Sequence, residues 1–294
     1  MPDNYEKLAS GIYLEGLAVD YARDTVWYSD VIAGGLHGVA RDGTVTTLNP
    51  ERMWTGGIMM NEDGKVLSSG QHGIMWNDPA TGASGWLIRE IAGAPINGIN
   101  EMVADGHGGM FCGTVDLEMV IAGGTPRPAG IYHIAADGTA RVAAAELGFA
   151  NGLMLSQDGR QLFYNDTFDA TYAFDVSPDL ALSNRRKLLD KANCDGMALD
   201  AEGNLLVTGY DQAEIVRMRP DGTLLEPLAT PGGGVTQIRF GGADMRDFWI
   251  TAVAADAGET LKAGQVPSEP NSFLYRGRAA VPGLPLAPTR FKLA

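Results

Sequence analysis

Six copies of one pattern divide the sequence. Each copy has a polar or small residue, an apolar segment, a turn rich in Asp, Gly and Asn, and a second apolar segment. The intervals between copies are 41, 44, 51, 44 and 41 residues, close to the period of roughly 40–50 residues of a four-stranded propeller blade. The repeat predicts an all-β fold, a six-bladed β-propeller, with residues 1–294 as a single domain. The copies begin at Glu15, Gly56, Asn100, Asn151, Asp195 and Thr236.

The turns inside the copies agree with this prediction. The pairs Asp63-Gly64, Asp158-Gly159 and Glu202-Gly203 lie between apolar segments, where a hairpin needs residues that tolerate positive φ. A third alternating segment often follows, as in EIVRMRPDGT before Asp221-Gly222. A β-sandwich would also contain such strands, but it has no reason to repeat a longer unit six times.

Charge and composition narrow the partners. The chain has 36 acidic and 22 basic residues and a net charge of −14, which repels phosphate backbones and anionic lipids. We therefore expect a small-molecule substrate, no nucleic-acid partner and no membrane partner; the oligomeric state is left open. The start MPDNYEKLAS has no secretory pattern, so a cytoplasmic location is expected. Cys112 and Cys194 cannot form a disulfide framework and are predicted to be buried and reduced.

The first residue of each copy carries most of the functional information. In a propeller the first strand of each blade lies nearest the axis, so these positions form a ring around the central channel. Four of the six ring positions carry oxygen-donor side chains: Glu15, Asn100, Asn151 and Asp195. Such a donor set suits hard cations, including Ca²⁺, Mg²⁺ and Mn²⁺. Each residue taken singly could also be an ordinary turn residue, but four in register favour a metal site.

Other catalytic patterns are absent from the sequence. The four histidines occupy unrelated places in the repeat, and no HExxH helix or CxxC pair occurs. No G-x-S-x-G elbow, Walker loop or G-x-G-x-x-G motif after a strand occurs either. Serine-hydrolase and nucleotide-binding functions are therefore disfavoured.

Several motifs together resemble the gluconolactonase family, also called the senescence marker protein-30 or regucalcin-like family. They are Glu15-Gly16, Asn100 followed by an acid, FANGLMLSQDG around Asn151 and NCDGMALDAEGNLLVTG around Asp195. The resemblance implies one divalent metal ion held by Glu15, Asn151 and Asp195. It also implies that Asn100 contacts substrate or metal and that Asp195 is the catalytic base. Family members mostly open lactones, and a few hydrolyse phosphotriesters.

The resemblance predicts a metal-dependent lactonase with Ca²⁺ preferred and Mg²⁺, Mn²⁺ or Zn²⁺ as alternatives. A bound cation would polarise the ester carbonyl, while Asp195 would take a proton from the attacking water. One alternative is another chemistry at the same pocket, such as phosphotriester or ester hydrolysis, a lyase or an isomerase step. The other is a non-catalytic propeller that binds metal for structure or presents its top face to a protein partner.

The substrate side of the site departs from the family pattern. Gly98 stands where the family usually has an Arg that binds a sugar, and Glu101 stands where Asp is usual. Glu101 and Glu118 are expected to orient water or substrate. The third copy carries an insertion, residues 116–130, whose apolar residue Met119 either packs on a neighbouring blade or forms a wall of the pocket. The pocket-wall interpretation predicts a small or moderately apolar lactone rather than a sugar lactone.

Overall fold

The computed structural model of the chain describes residues 4–258 and 265–293. Within those residues the strands form six four-stranded antiparallel sheets and one two-stranded ribbon, and the predicted all-β, six-bladed propeller is confirmed. Residues 1–3, 259–264 and 294 of the predicted domain lie outside the described residues. No helix in the described part is long and apolar enough to cross a membrane.

The first strand of the chain belongs to the last blade, and the next three blades follow in order. Strand β1 covers Glu6–Gly11. Blade 1 contains β2 (Leu14–Asp20), β3 (Thr25–Asp30), β4 (Leu36–Ala40) and β5 (Val45–Leu48). Blade 2 contains β6 (Thr55–Met60), β7 (Val66–Gly70), β8 (Ile74–Asn77) and β9 (Ser84–Ile88), and is followed by the ribbon of β10 (Glu90–Ile91) and β11 (Ala94–Pro95). Blade 3 contains β12 (Ile99–Ala104), β13 (Met110–Thr114), β14 (Ala129–Ile134) and β15 (Ala140–Leu147), with the short helix α1 (Leu117–Ile121) after β13.

The remaining blades complete the ring. Blade 4 contains β16 (Phe149–Leu155), β17 (Gln161–Thr167), β18 (Ala170–Val176) and β19 (Leu182–Asp190). Blade 5 contains β20 (Cys194–Leu199), β21 (Leu205–Gly209), β22 (Glu214–Met218) and β23 (Leu224–Ala229). Blade 6 contains β24 (Gly234–Gly241), β25 (Asp247–Val253) and β26 (Ser272–Arg278), and its fourth strand is β1, paired antiparallel with β26. A strand from the start of the chain therefore closes the ring.

The inner strands contact one another in a closed circle, from β2 through β6, β12, β16 and β20 to β24 and back to β2. Apolar side chains on alternate positions fill the spaces between blades. Phe163 of blade 4, Leu205 of blade 5 and Ile238 of blade 6 are almost fully buried in one such cluster. Because each fully buried large apolar side chain contributes about 1.5–3 kcal/mol, packing between blades is a major source of stability.

Every inner strand carries a register shift at or beside its ring position. The shifts lie between Leu14 and Leu17, Thr55 and Ile58, Ile99 and Glu101, Asn151 and Leu153, Cys194 and Met197, and Val235 and Gln237. A bulge of this kind bends a strand and redirects its side chains. The repeated bulge accounts for the convergence of Glu15, Asn100, Asn151 and Asp195, from four different blades, on one cavity.

Glycines allow the inner strands to approach closely at this level. A Cβ at Gly16 would lie 2.1 Å from the carbonyl oxygen of Gly56, and one at Gly152 would lie 2.3 Å from the carbonyl oxygen of Asp195. Neither contact leaves room for a side chain. The Glu-Gly and Asn-Gly pairs of the repeat are therefore required by packing between blades.

The C-terminal segment crosses the far end of the propeller. The buried Asn61 side chain donates to the carbonyl oxygen of Phe291 at 3.1 Å and accepts from the backbone N–H of Phe291 at 2.9 Å. An isolated bridge joins Asp200 to Gly283. The segment thus ties blades 2 and 5 together at the end opposite the ring.

Candidate active site

The ring residues enclose a small polar cavity at one end of the channel. The cavity has a volume of about 10 Å³, room for one water-sized occupant. It brings together all four oxygen donors of the ring, so the structure places Glu15, Asn100, Asn151 and Asp195 side by side as the sequence predicts. Its lining residues are Glu15, Gly16, Gly57, Asn100, Glu101, Asn151, Asp195, Thr236 and Gln237.

Two of the lining carboxyl groups have strongly perturbed electrostatics. Burial, and then the negative charge of Glu101, raise the pKa of Glu15 to about 7. Burial, and then the charge of Glu15, raise the pKa of Asp195 well above its usual value. A hydrogen bond from Asn151 lowers this pKa, and the charge of Glu101 raises it by a smaller amount. Because like charges in a buried site oppose ionisation, this pair favours a bound cation or a bound proton.

The two carboxamides of the ring are held differently. Asn151 donates from Nδ2 to Thr167 Oγ1 at 3.2 Å, and its Oδ1 accepts from the backbone N–H of Gly152 at 3.0 Å. Since an amide oxygen has two lone pairs, Asn151 keeps one for a ligand. The Nδ2 of Asn100 is buried without a hydrogen-bond partner, so this N–H group is available to donate to an oxygen of a bound molecule.

Glu101 lies at the floor of the cavity with partners that sequence reasoning missed. Its Oε2 accepts hydrogen bonds from Gln237 Nε2 and from Arg239 Nη2, the latter at 3.2 Å. Its Oε1 accepts a hydrogen bond from the backbone N–H of Met102 at 2.9 Å. Burial raises the pKa of Glu101, and the charge of Arg239 offsets part of that rise. Gln237 directly follows ring residue Thr236, just as Glu101 directly follows ring residue Asn100. This shared position in the repeat is the sequence signal that could have predicted Gln237 as a residue of the cavity.

The second strands fix the backbone of the ring. In five of the six blades, the residue opposite the bulge donates a side-chain hydrogen bond to the carbonyl oxygen of the next blade's ring residue. The bonds are Ser29 to Gly56 (3.1 Å), Ser69 to Asn100 (2.9 Å), Asn165 to Asp195 (2.6 Å), Thr208 to Thr236 (3.3 Å) and Thr251 to Glu15 (2.8 Å). In blade 3 this position is Gly113, where a Cβ would lie 2.6 Å from the carbonyl oxygen of Ala150. These bonds fix the backbone of Glu15, Asn100 and Asp195 from outside the ring, whereas the carbonyl oxygen of Asn151 receives no such bond from Gly113.

Comparison with known sequences gives the family. Residues 14–254 match the SMP-30/gluconolactonase/LRE-like region, a span that begins at the first inner strand and ends after β25. The chain belongs to the SMP-30/gluconolactonase family. The resemblance read from the sequence motifs is therefore confirmed.

Two similar proteins are named as lactonases. The chain is 27% identical over 267 residues to a 6-deoxy-6-sulfogluconolactonase of Pseudomonas putida, covering 88% of each protein. It is 24% identical over 272 residues to the pentonolactonase of Haloferax volcanii, also covering 88% of each. Among solved structures, a calcium-binding regucalcin of Agrobacterium tumefaciens superposes with a TM-score of 0.79 at 21% identity, covering 97% of this chain and 96% of that one. This last similarity supports the shared fold.

The donor set of this SMP-30/gluconolactonase-family protein fits a hard divalent cation. Carboxylate and amide oxygens surround a cavity of about 10 Å³, and two of its carboxyl groups are buried beside each other. No group of three His, Cys, Asp or Glu side chains in a ligating arrangement occurs in residues 4–258 and 265–293. A cation here would therefore draw on the Asn151 amide together with Glu15 and Asp195, an all-oxygen set typical of calcium or magnesium.

The insertion of blade 3 lies at the same end of the channel as the ring, because β13 ends where β12 begins. The carboxylate of Asp116 accepts from Arg127 Nε at 2.6 Å and from Nη2 at 3.1 Å and closes the base of the insertion. Neither Glu118 nor Met119 lines the small cavity. Glu118 is exposed, and its backbone N–H donates to Asn97 Oδ1 at 3.0 Å. The Met119 methyl lies so close to Gly124 that a Cβ there would approach it to 2.3 Å.

Gly98 does not open free space at the ring. A Cβ at Gly98 would lie 2.8 Å from the Cβ of Leu117 in α1. The helix therefore packs directly against Gly98, which has no room for a side chain unless Leu117 moves.

Aromatic side chains of blades 4 and 5 lie at the same end of the channel as the ring. The rings of Phe149 and Phe168 meet edge to face with centroids 6.0 Å apart, and those of Phe168 and Tyr210 meet at 6.3 Å. Phe168 is 60% exposed and has a φ of +79°, a conformation unusual for a bulky residue and often found at functional sites. Burial raises the pKa of Tyr13 well above its usual value, and the charges of Asp195, Glu15 and Tyr210 add to this rise. Tyr13 therefore lies close to these three residues. We call Tyr13, Phe149, Phe168 and Tyr210 the aromatic rim.

A much larger cavity of about 1140 Å³ lies at the far end of the channel. Its lining includes the ends of the inner strands, such as Ala18, Ile58, Met102 and Leu199, and the C-terminal Leu284. It contains none of the ring residues. We place the chemistry at the small cavity because the oxygen donors and the perturbed carboxyl groups are there.

The cysteines play no part in the site. Cys112 and Cys194 are buried and unpaired, as the sequence predicts. Burial, with smaller effects of neighbouring groups, raises the pKa of Cys194 to about 12, so its thiol stays protonated and unreactive at neutral pH.

Proposed function

We propose that this chain is a divalent-metal-dependent hydrolase that opens a lactone, with Ca²⁺ as the preferred ion. The observation that carries the proposal is the meeting of Glu15, Asn151 and Asp195 around one ion-sized cavity. Lactonases among the relatives that match 88% of the chain support the reaction class. The calcium-binding regucalcin of the same fold supports the choice of ion.

Glu15, Asn151 and Asp195 would hold the cation through oxygen. When bound, a divalent cation polarises an ester carbonyl and makes a nearby water more acidic. Asp195 accepts the proton of the attacking water and returns it to the leaving alkoxide, so the lactone carbonyl gains a C–O bond and loses its bond to the ring oxygen. General-base help of this kind contributes about 10²–10⁴-fold to the rate.

The remaining polar groups orient the substrate. The unpartnered Asn100 N–H group donates to a substrate oxygen beside the cation. The Glu101 carboxylate at the cavity floor is fixed by three donors and limits how deeply a substrate reaches. Glu118 and Met119 would act only on parts of a substrate that extend beyond the cavity toward the insertion.

The proposed substrate is a small or moderately apolar lactone rather than a hydroxyl-rich sugar lactone. The aromatic rim supports this preference, since exposed Phe168 offers an apolar face at the ring end of the channel. Among the residues that the structure describes, none that lines the small cavity is a Lys or Arg, and Gly98 provides no cation to bind hydroxyl groups. A methylene in an apolar pocket changes kcat/KM by roughly 10–200-fold, so substrate chain length should have a measurable effect.

A lactone panel tests the proposal directly. The protein is stripped with chelator, single metals are added back, and hydrolysis of γ- and δ-alkyl lactones, an aryl lactone and gluconolactone is followed by acid release. We expect activity only with added metal and higher kcat/KM for the alkyl and aryl lactones. Full activity in chelator would refute metal dependence, and a preference for gluconolactone would refute the substrate class. Asp137→Asn, in an exposed hairpin turn, is the control variant.

A phosphotriester and a simple aryl ester in the same panel test the alternative chemistry. Turnover of these compounds without turnover of any lactone would assign the pocket to a different hydrolysis. No turnover with any compound, together with a large metal-dependent rise in Tm, would indicate a metal-binding protein without this activity.

A further inference from the structure

A buried ion pair spans the channel directly below the small cavity. Glu101 is on the inner strand of blade 3, and Arg239 is on the inner strand of blade 6. These blades lie opposite each other in a ring of six. Arg239 Nη2 is 3.2 Å from Glu101 Oε2, and both side chains are 3% exposed.

Hydrogen bonds hold the arginine in one position. Its Nη1 donates to the carbonyl oxygen of Met197 at 2.9 Å, to Gln237 Oε1 at 2.6 Å and to the carbonyl oxygen of Ile238 at 2.9 Å. The Gln237 amide in turn donates to Glu101. Arg239 therefore contacts three blades, and the Glu101 carboxylate is satisfied by groups of the chain itself.

The charges around the cavity balance only with this arginine included. Three carboxylates line the cavity, those of Glu15, Glu101 and Asp195, and Arg239 is the guanidinium in contact with one of them. With these groups ionised, one divalent cation brings the total charge to zero. Without Arg239 the occupied site would keep a net charge of −1, and a third carboxylate would be free to approach the ion.

We propose that Arg239 is a positioning residue of the metal site, which withholds Glu101 from the cation and sets the number of carboxylates that bind it. The inference rests on the metal-dependent function proposed above. Limiting the cation to two carboxylates leaves coordination positions for substrate and water. A third anionic ligand would strengthen ion binding but would reduce the ability of the ion to polarise a carbonyl. The competing explanation is that the pair only closes the channel and stabilises the fold.

The two explanations differ in the sign of one measurement. Removing the arginine charge should strengthen metal binding if Arg239 withholds Glu101, whereas loss of a purely structural contact should weaken it. Calorimetric titration of Ca²⁺ into chelator-treated protein gives this sign without any assay of activity. We expect Arg239→Met to bind Ca²⁺ about tenfold more tightly and Glu101→Gln about tenfold more weakly than the unmodified protein.

Three further variants complete the design. The double variant Glu101→Gln/Arg239→Met restores zero net charge with a divalent ion and should return to within about threefold of the unmodified affinity. Arg239→Lys keeps the charge and should not tighten binding. Arg217→Met removes an arginine that lies 3.8 Å from buried Asp200, away from the ring, and should leave Ca²⁺ affinity unchanged.

Thermal unfolding with and without Ca²⁺ gives a second readout. Arg239→Met should have a lower Tm than the unmodified protein in chelator, because it leaves a buried carboxylate uncompensated, and a larger rise in Tm on adding Ca²⁺. If Arg239→Met does not fold, the Ca²⁺ affinities of Glu101→Gln and Arg239→Lys test the positioning role of Arg239. We then expect weaker binding in Glu101→Gln and unchanged binding in Arg239→Lys.

The outcomes separate failure of the inference from failure of the function. Weaker Ca²⁺ binding in both Arg239→Met and Arg239→Lys, with normal binding in the unmodified protein, would overturn the positioning role and leave the proposed function intact. No binding of Ca²⁺, Mg²⁺, Mn²⁺ or Zn²⁺ by the unmodified protein would overturn the function on which the inference rests.

Discussion

Glu15 of blade 1 and Asp195 of blade 5 share one cavity of about 10 Å³, and the charge of Glu15 contributes to raising the pKa of Asp195. Two carboxylates in so small a buried space cannot both ionise at low cost unless a cation or a proton compensates them. This relationship links the stability of the fold to the proposed metal binding and catalysis, and each of the following predictions tests one part of that proposal.

Removal of any proposed ligand should weaken metal binding. We expect Glu15→Ala, Asn151→Ala and Asp195→Ala each to lower Ca²⁺ affinity by more than about tenfold, because each deletes an oxygen from the ligand set. Calorimetry on stripped protein measures this, with Asp137→Ala as the exposed control. Full-strength binding in both Glu15→Ala and Asp195→Ala would show that the ring does not hold the ion.

Asp195→Asn should separate metal binding from catalysis. The amide still offers an oxygen to the cation but cannot accept a proton, so we expect kcat to fall about 10²–10⁴-fold while part of the metal affinity remains. Steady-state kinetics at saturating metal, alongside calorimetry on the same preparation, gives both quantities. An unchanged kcat would rule out Asp195 as the base.

The stability of metal-free protein should depend on pH through Glu15. The folded-state pKa of about 7 lies above the unfolded value, so the protonated group stabilises the fold at low pH. That contribution is fully present below about pH 4.3 and is lost as the pH rises through about 7. In chelator at pH 8, Glu15→Gln should therefore be more stable than the unmodified protein, by at most about 4 kcal/mol.

Urea unfolding at pH 4.5 and pH 8 measures this difference. The gap between Glu15→Gln and the unmodified protein should open as the pH rises, and saturating Ca²⁺ should reverse it by stabilising the unmodified protein more. A gap that is equal at both pH values would contradict the assignment of the perturbed group to Glu15.

Phe168 should contribute to substrate preference. Truncation in Phe168→Ala removes the exposed ring of the aromatic rim, so we expect kcat/KM for an aryl or long-alkyl lactone to fall about tenfold, with little change for gluconolactone. Leu224→Ala is a matched control, since Leu224 is also 60% exposed but lies on the outer strand of blade 5.

Met119→Ala tests the two interpretations of the insertion in the same assay. A change in the ranking of lactones would assign Met119 to the pocket wall, whereas an unchanged ranking would assign it to packing within the insertion. If neither Phe168→Ala nor Met119→Ala alters the ranking, the apolar surface at this end does not select the substrate.

The repeat and its turns were sufficient to predict the blades and the ring. Glu15, Asn151 and Asp195 could be aligned because each begins a copy of the same unit, and copies of one unit occupy equivalent places around an axis. By contrast, the role of β1 as the fourth strand of blade 6 had no local signal, since pairing between the start and the end of a chain depends on closure of the whole ring.

The amino-acid sequence by itself determined the architecture, the family and the residues that face the axis, because these follow from a period repeated six times. Only the tertiary structure decided which of those residues meet and what surrounds them. The contact between Glu101 and Arg239 joins residues 138 positions apart, and the aromatic rim joins loops of different blades. Such contacts depend on the strand bulges, the close glycine contacts between blades and the closure of the ring. They join residues of different blades, so the alternation of residues along one strand does not predict them.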